Sequence, residues 1–83
     1  MKSHSAFTTI HPGDVLREEL DARGIKQKDF ASTISMPASV LNDIVKGKRS
    51  VTPDIAILHE AALGKDASSW LRLQAERDLV VAR

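Results

Sequence analysis

The chain has 83 residues and a formal net charge of +1, which sets one domain with a small core that a partner subunit would help to stabilise. It has no cysteine, which excludes a disulfide framework, a thiolate zinc site and a thiol nucleophile. With no signal-peptide core and no run of ~18 apolar residues, the expected location is the cytoplasm, away from any membrane.

Residues 1–10 are rich in Ser, Thr and His without helical period and read as a flexible arm, a disordered terminus being favoured over docking through Phe7 and Ile10. His11-Pro12-Gly13 then opens a first helix to about Arg23, because Pro in a first turn forfeits no hydrogen bond. Asp14, Glu18 and Glu19 lie toward its positive start, and Val15, Leu16 and Leu20 form the inward stripe. Gly24 ends it as a left-handed cap. A second helix is expected over 27–34, burying Phe30, Ala31 and Ile34, and Ser35-Met36-Pro37 turns the chain. A third runs from about Pro37 to Lys46 and stops at Gly47. Thr52-Pro53-Asp54 starts a fourth, with Ile55, Leu58, Ala62 and Leu63 inward, ending at Gly64. Asp66 is expected to cap a fifth helix over 67–81. The result is an all-α domain over residues 11–83, with no repeat and no linker.

The stretch from Gln27 to Arg49 organises the rest. Two short helices, a tight break and a basic closure form the pattern of a helix-turn-helix, whose second helix enters the major groove of DNA. From Lys26 to Arg49 there are five cations against two acids, whereas Asp14 to Arg23 has four acids against two arginines. Such local asymmetry matters more for steering than total charge. In the third helix, Leu41, Ile44 and Val45 fall in one sector that must face the core. The opposite sector carries Ser39, Asn42, Asp43 and Lys46, groups that reach base edges and phosphates. Asn suits adenine, an acid accepts from cytosine, and an apolar Ala38 or Val40 suits a thymine methyl. Gln27 and Lys28 at the start of the second helix, and Lys46, Lys48 and Arg49 after the third, are the candidate phosphate contacts. For Lys28 plain solvation is an equal alternative.

From His11 to Arg83 the chain resembles the HigA-type antitoxins, a branch of the phage-repressor-like (Xre) helix-turn-helix family. The resemblance rests on HPGDVLREEL in the first helix, LNDIVKGKRSVTPDIA across the third and fourth, and ALGKDASSWLRLQAERDLVVAR at the end. It implies a five-helix, lambda-repressor-like domain that pairs as a homodimer, binds a palindromic operator of double-stranded DNA in its own promoter, and neutralises a HigB/RelE-like mRNA-cleaving toxin. The family often has Arg near positions 38 and 40, where this chain has Ala38 and Val40, which implies weaker binding or a shifted base preference. Ser35 stands where Gly is usual at the turn, Lys26 where a capping Ser or Thr is common, and Arg77 where an aromatic precedes the DL pair.

On the last helix, Trp70 and Leu73 share one side, with Trp70 expected to close the monomer core. Leu71, Ala75, Leu79 and Ala82 lie along another and are the candidate dimer interface. A two-fold pair would set the reading helices ~34–36 Å apart, one turn of DNA. The histidines at 4, 11 and 59 have no metal-ligand spacing, and neither a nucleophile elbow nor a phosphate-binding glycine loop occurs. No cofactor, metal or catalytic residue is expected. His59 reads as a surface or partly packed residue, and His11 as the group that orders the Pro-Gly turn. Two alternatives stand beside the antitoxin reading: a free-standing phage-type repressor, and a toxin-binding protein whose helix-turn-helix has lost its DNA.

Overall fold

His11 sets the start of the fold. In the computed structural model, which describes residues 10–83, its extended backbone caps the first helix. Its Nδ1 accepts a hydrogen bond from the Gly13 N–H at 2.9 Å, while the Asp14 carboxylate accepts from the His11 N–H at 3.3 Å. This reciprocal capping satisfies two donors that a helix start leaves open. The expected arm lies, apart from Ile10, outside the described residues.

Five helices follow: α1 (Pro12–Arg23), α2 (Gln27–Thr33), α3 (Ala38–Val45), α4 (Pro53–Leu63) and α5 (Ala67–Ala82). No strand occurs among the described residues. Helix α3 packs on α1 and α2, α4 packs on α5, and α1 also meets α5. The α1–α3 approach is close enough to require glycine, since a Cβ on Gly13 would meet the Ile44 carbonyl oxygen. Leu16, Leu20, Phe30, Ala31, Leu41, Ile44, Ala56 and Trp70 build the core around that contact.

Three details correct the sequence-based expectations. Helix α4 turns Ala56, His59 and Leu63 inward, while Leu58 and Ala62 are exposed and Ile55 is half-buried. His59, expected at or near the surface, is fully buried between two aromatic rings. Its ring centroid lies 5.7 Å from that of Phe30 and 5.0 Å from that of Trp70, the latter edge to face. Asp66 occupies the cap position of α5 without a side-chain hydrogen bond. The adjacent Ala67 N–H is held from another helix, by Glu60 Oε2 at 3.2 Å near the end of α4. Arg23 makes the matching tie from α1, donating to the Leu63 carbonyl at 2.7 Å.

Candidate nucleic-acid interface

The turn between α2 and α3 is tight because Ser35 takes a left-handed conformation, φ 56°. The Met36 N–H then closes back on the Ala31 carbonyl at 2.9 Å. That geometry aims α3 across α2 and buries Leu41 and Ile44 completely, with Val45 half-covered. The remaining faces of α3 are therefore fixed. Ala38 and Ser39 are exposed in its first turn, Lys46 is exposed at its C-cap, and Asn42 and Asp43 are half-buried between them.

Two pairs organise this surface. Gln27 Nε2 donates to Asn42 Oδ1 at 3.2 Å, so the amide expected to meet a phosphate is turned sideways onto the reading helix. That bond engages the Asn42 oxygen and leaves its amide nitrogen as a donor for a ligand. Asp43 Oδ2 lies 3.7 Å from an Arg49 guanidinium nitrogen, with both side chains about half exposed. At that exposure the pair adds little stability. Its effect is on charge: an acid that would face phosphates is matched by a cation, and Arg49 is held over α3. Lys28, Lys46 and Lys48 have exposed side chains and complete a positive rim around these pairs.

The loop after α3 leaves the helix through Gly47, at φ 77°. The Gly47 N–H bonds the Ile44 carbonyl at 3.0 Å, and the Lys48 N–H bonds the Asp43 carbonyl at 2.8 Å. The His11 ring lies beside Gly47, where an added Cβ would come into ordinary contact with it. Burial above all, then the nearby Arg77 charge, lower the His11 pKa against the opposing carboxylates of Asp14 and Asp78. The neutral ring thus keeps the Nδ1 lone pair that caps α1. An open cleft of about 270 Å³ separates the loop from α5, bordered by His11, Lys48, Arg49, Gln74, Arg77 and Val81.

The candidate dimer residues divide. Leu71 packs partly against the core of its own subunit. Ala75, Leu79 and Ala82 are exposed, and Leu79, Val80 and Val81 expose 53%, 37% and 71% of their surfaces. The unpartnered apolar surface of α5 is therefore its last turn rather than its whole length. Sequence reasoning passed over Gln74, which the structure buries at 6% exposure, and Val51, whose N–H it holds. The only prior signal was the polar Gln74 one turn from Trp70 in WLRLQ. Among the described residues no cluster of His, Asp or Glu could hold a metal ion, and no helix is long and apolar enough to cross a membrane.

Comparison with known proteins follows this geometry closely. The helix-turn-helix family model matches residues 16–70. Virulence-associated protein I of Dichelobacter nodosus is 39% identical over 74 residues, spanning 88% of this chain and 68% of that protein. A putative antidote protein of a plasmid maintenance system from Nostoc punctiforme superposes with a TM-score of 0.87 at 37% identity, covering 90% of this chain and 82% of that one. The Pseudomonas aeruginosa antitoxin HigA, solved with the higBA promoter, superposes with a TM-score of 0.83 at 35% identity, covering 88% and 80%. The chain belongs to the Xre-like helix-turn-helix family, and its fold is that of the HigA-type antitoxins.

Proposed function

We propose that this protein is the antitoxin of a type II toxin–antitoxin pair. It acts as a homodimer that binds a palindromic operator in its own promoter and represses transcription. It also neutralises a HigB/RelE-like mRNA-cleaving toxin. The observation that carries the DNA-binding half is the prearranged face of α3. Asn42 is oriented by Gln27 and Asp43 is matched by Arg49, within a rim of exposed lysines. Groups already oriented lose less freedom on binding. The likeness to a HigA antitoxin solved on its promoter supports the same reading. In this reading Ala38 and Ser39 touch bases, Asn42 and Asp43 read them, Gln27 holds Asn42 in place, and Lys28, Lys46, Lys48 and Arg49 contact phosphates.

Pairing is supported by the exposed last turn of α5, where Leu79, Val80 and Val81 have no cover of their own. An apolar cluster of this kind marks an interaction surface. Ala75 and Ala82 flank it, and Leu71 contributes its uncovered part. The toxin half rests on the family and on the antidote-like fold. The test is co-expression with the product of the adjacent upstream reading frame, followed by pull-down and promoter binding with and without that product. A stable complex that relieves growth arrest supports the antitoxin role. Promoter binding with no captured product supports the free-standing repressor instead. Light scattering at micromolar concentration checks the homodimer, and a strict monomer overturns the pairing.

A further inference from the structure

Gln74 lies in the middle of α5 with 6% of its surface exposed, an unusual place for an amide unless it is fully bonded. Its Oε1 accepts from the Val51 N–H at 2.8 Å, and its Nε2 donates to Asp78 Oδ1 at 2.9 Å. These partners fix the orientation of the amide. The Val51 backbone offers a donor and the Asp78 carboxylate offers acceptors, so oxygen faces the first and nitrogen the second. Val51 is itself buried, and it directly follows Lys48, Arg49 and Ser50, all exposed. The loop is thus tethered at both ends. Its start is bonded to α3 through Gly47 and Lys48, and its finish is bonded to α5 through Val51.

We propose that Gln74 is a positioning residue for DNA binding. It never touches DNA. Through the Val51 N–H it fixes the Lys48–Arg49 loop relative to α3, so that both cations meet the strand against which α3 docks. The inference rests on the DNA-binding reading above and names a residue through which that reading works. With the strut removed, the loop must be ordered during binding, and ordering even one residue's backbone corresponds to roughly a tenfold loss of affinity.

The test is a double-mutant cycle read by fluorescence anisotropy, on two duplexes across a salt series. One duplex has the sequence upstream of the chain's own reading frame and the other has random sequence. Circular dichroism verifies that each variant is folded at the assay temperature. Gln74→Met keeps the length and apolar stem but removes the acceptor. It is expected to weaken binding to both duplexes roughly tenfold. In a Lys48→Ala/Arg49→Ala background the same change is expected to have no effect. Gln74→Glu combined with Asp78→Asn, which keeps an acceptor for Val51, gives position 78 a donor in place of the carboxylate and leaves the net charge unchanged, is expected to keep the wild-type affinity. Should Gln74→Met fail to fold, Gln74→Asn replaces it in the same cycle, too short to reach Val51 while still an amide. An equal loss in both backgrounds, or no loss in the wild-type background, overturns the positioning role alone. A wild-type chain that binds neither duplex overturns the DNA-binding reading and this inference with it.

Discussion

Around α3 the polar side chains come in pairs, Gln27 with Asn42 and Asp43 with Arg49, whereas between α2, α4 and α5 the buried ring nitrogens of His59 and Trp70 have no hydrogen-bond partner. The two regions meet different demands. At the surface, hydrogen bonds add little net stability because water competes for them, so their value is in orientation. In the core, aromatic area and close packing supply stability, and the unbonded nitrogens cost part of it. Changes in the two regions should therefore separate cleanly: those beneath α4 and α5 move stability, those on α3 move recognition.

The largest effect is expected at the closest approach. Gly13→Ala places a methyl group against the Ile44 carbonyl, a backbone atom that cannot swing aside. Overpacking of this kind should cost about 3 kcal/mol, read as a fall in thermal midpoint. A variant of unchanged stability would mean that α1 and α3 pack more loosely than described.

Acid should expose the core next. Burial pushes the His59 pKa from 6.5 down to about 4 in the folded chain, while the unfolded chain keeps the ordinary value. Between these values the unfolded state binds a proton that the folded state does not. Stability is therefore complete above pH 6.5 and falls as the pH drops toward 4. The shift corresponds to about 3 kcal/mol, and the lowered His11 pKa acts in the same direction. His59→Leu should remove most of this loss while leaving stability at neutral pH unchanged or higher, because two unpartnered nitrogens go with the ring. Denaturant melts of both proteins at pH 7 and pH 4.5 decide it. Parallel acid loss in the two would place the sensitive group elsewhere.

On the recognition side, Asn42→Ala should leave the melting temperature nearly unchanged and flatten discrimination at one base pair per half-site by about 1–3 kcal/mol. A panel of single-base operator variants reads this directly. An unaltered preference would remove Asn42 as a reader and leave Gln27 and Asn42 as a structural pair only. The smallest change lies where the regions join. Ser35 holds φ 56° without being glycine, so Ser35→Gly should stabilise by about 1 kcal/mol and leave operator preference untouched.

The comparison also marks what a reader of the chain alone can see. Helix ends were legible because capping chemistry is local: His11-Pro12-Gly13, Gly24, Thr52-Pro53 and Gly64 each act on backbone groups within a few residues along the chain. The inward sector of α3 was legible because its apolar residues occupy one side, Leu41 and Ile44, with polar groups opposite. Helix α4 offered no such contrast. It is apolar nearly all round, so periodicity could not choose between Leu58 and His59, and the aromatic pocket formed by Phe30 and Trp70 decided it. Asp66 suits a cap by residue type, yet its side chain makes no capping bond, and Glu60 reaches another first-turn donor, the Ala67 N–H, from a neighbouring helix. The pairings Gln27–Asn42 and Gln74–Val51 span 15 and 23 residues of chain, distances at which only the packed helices define who meets whom.

The central claim is that α3 and the loop after it form a DNA-binding surface, and a salt series tests it most directly. The wild-type chain and Lys48→Ala are titrated with the upstream duplex and with a random duplex. The account predicts tighter binding to the upstream duplex. It also predicts a steep log–log fall with salt that Lys48→Ala flattens by about one per protomer, equally on both DNAs. Equal affinity for the two duplexes, or a salt slope that Lys48→Ala leaves untouched, would contradict it.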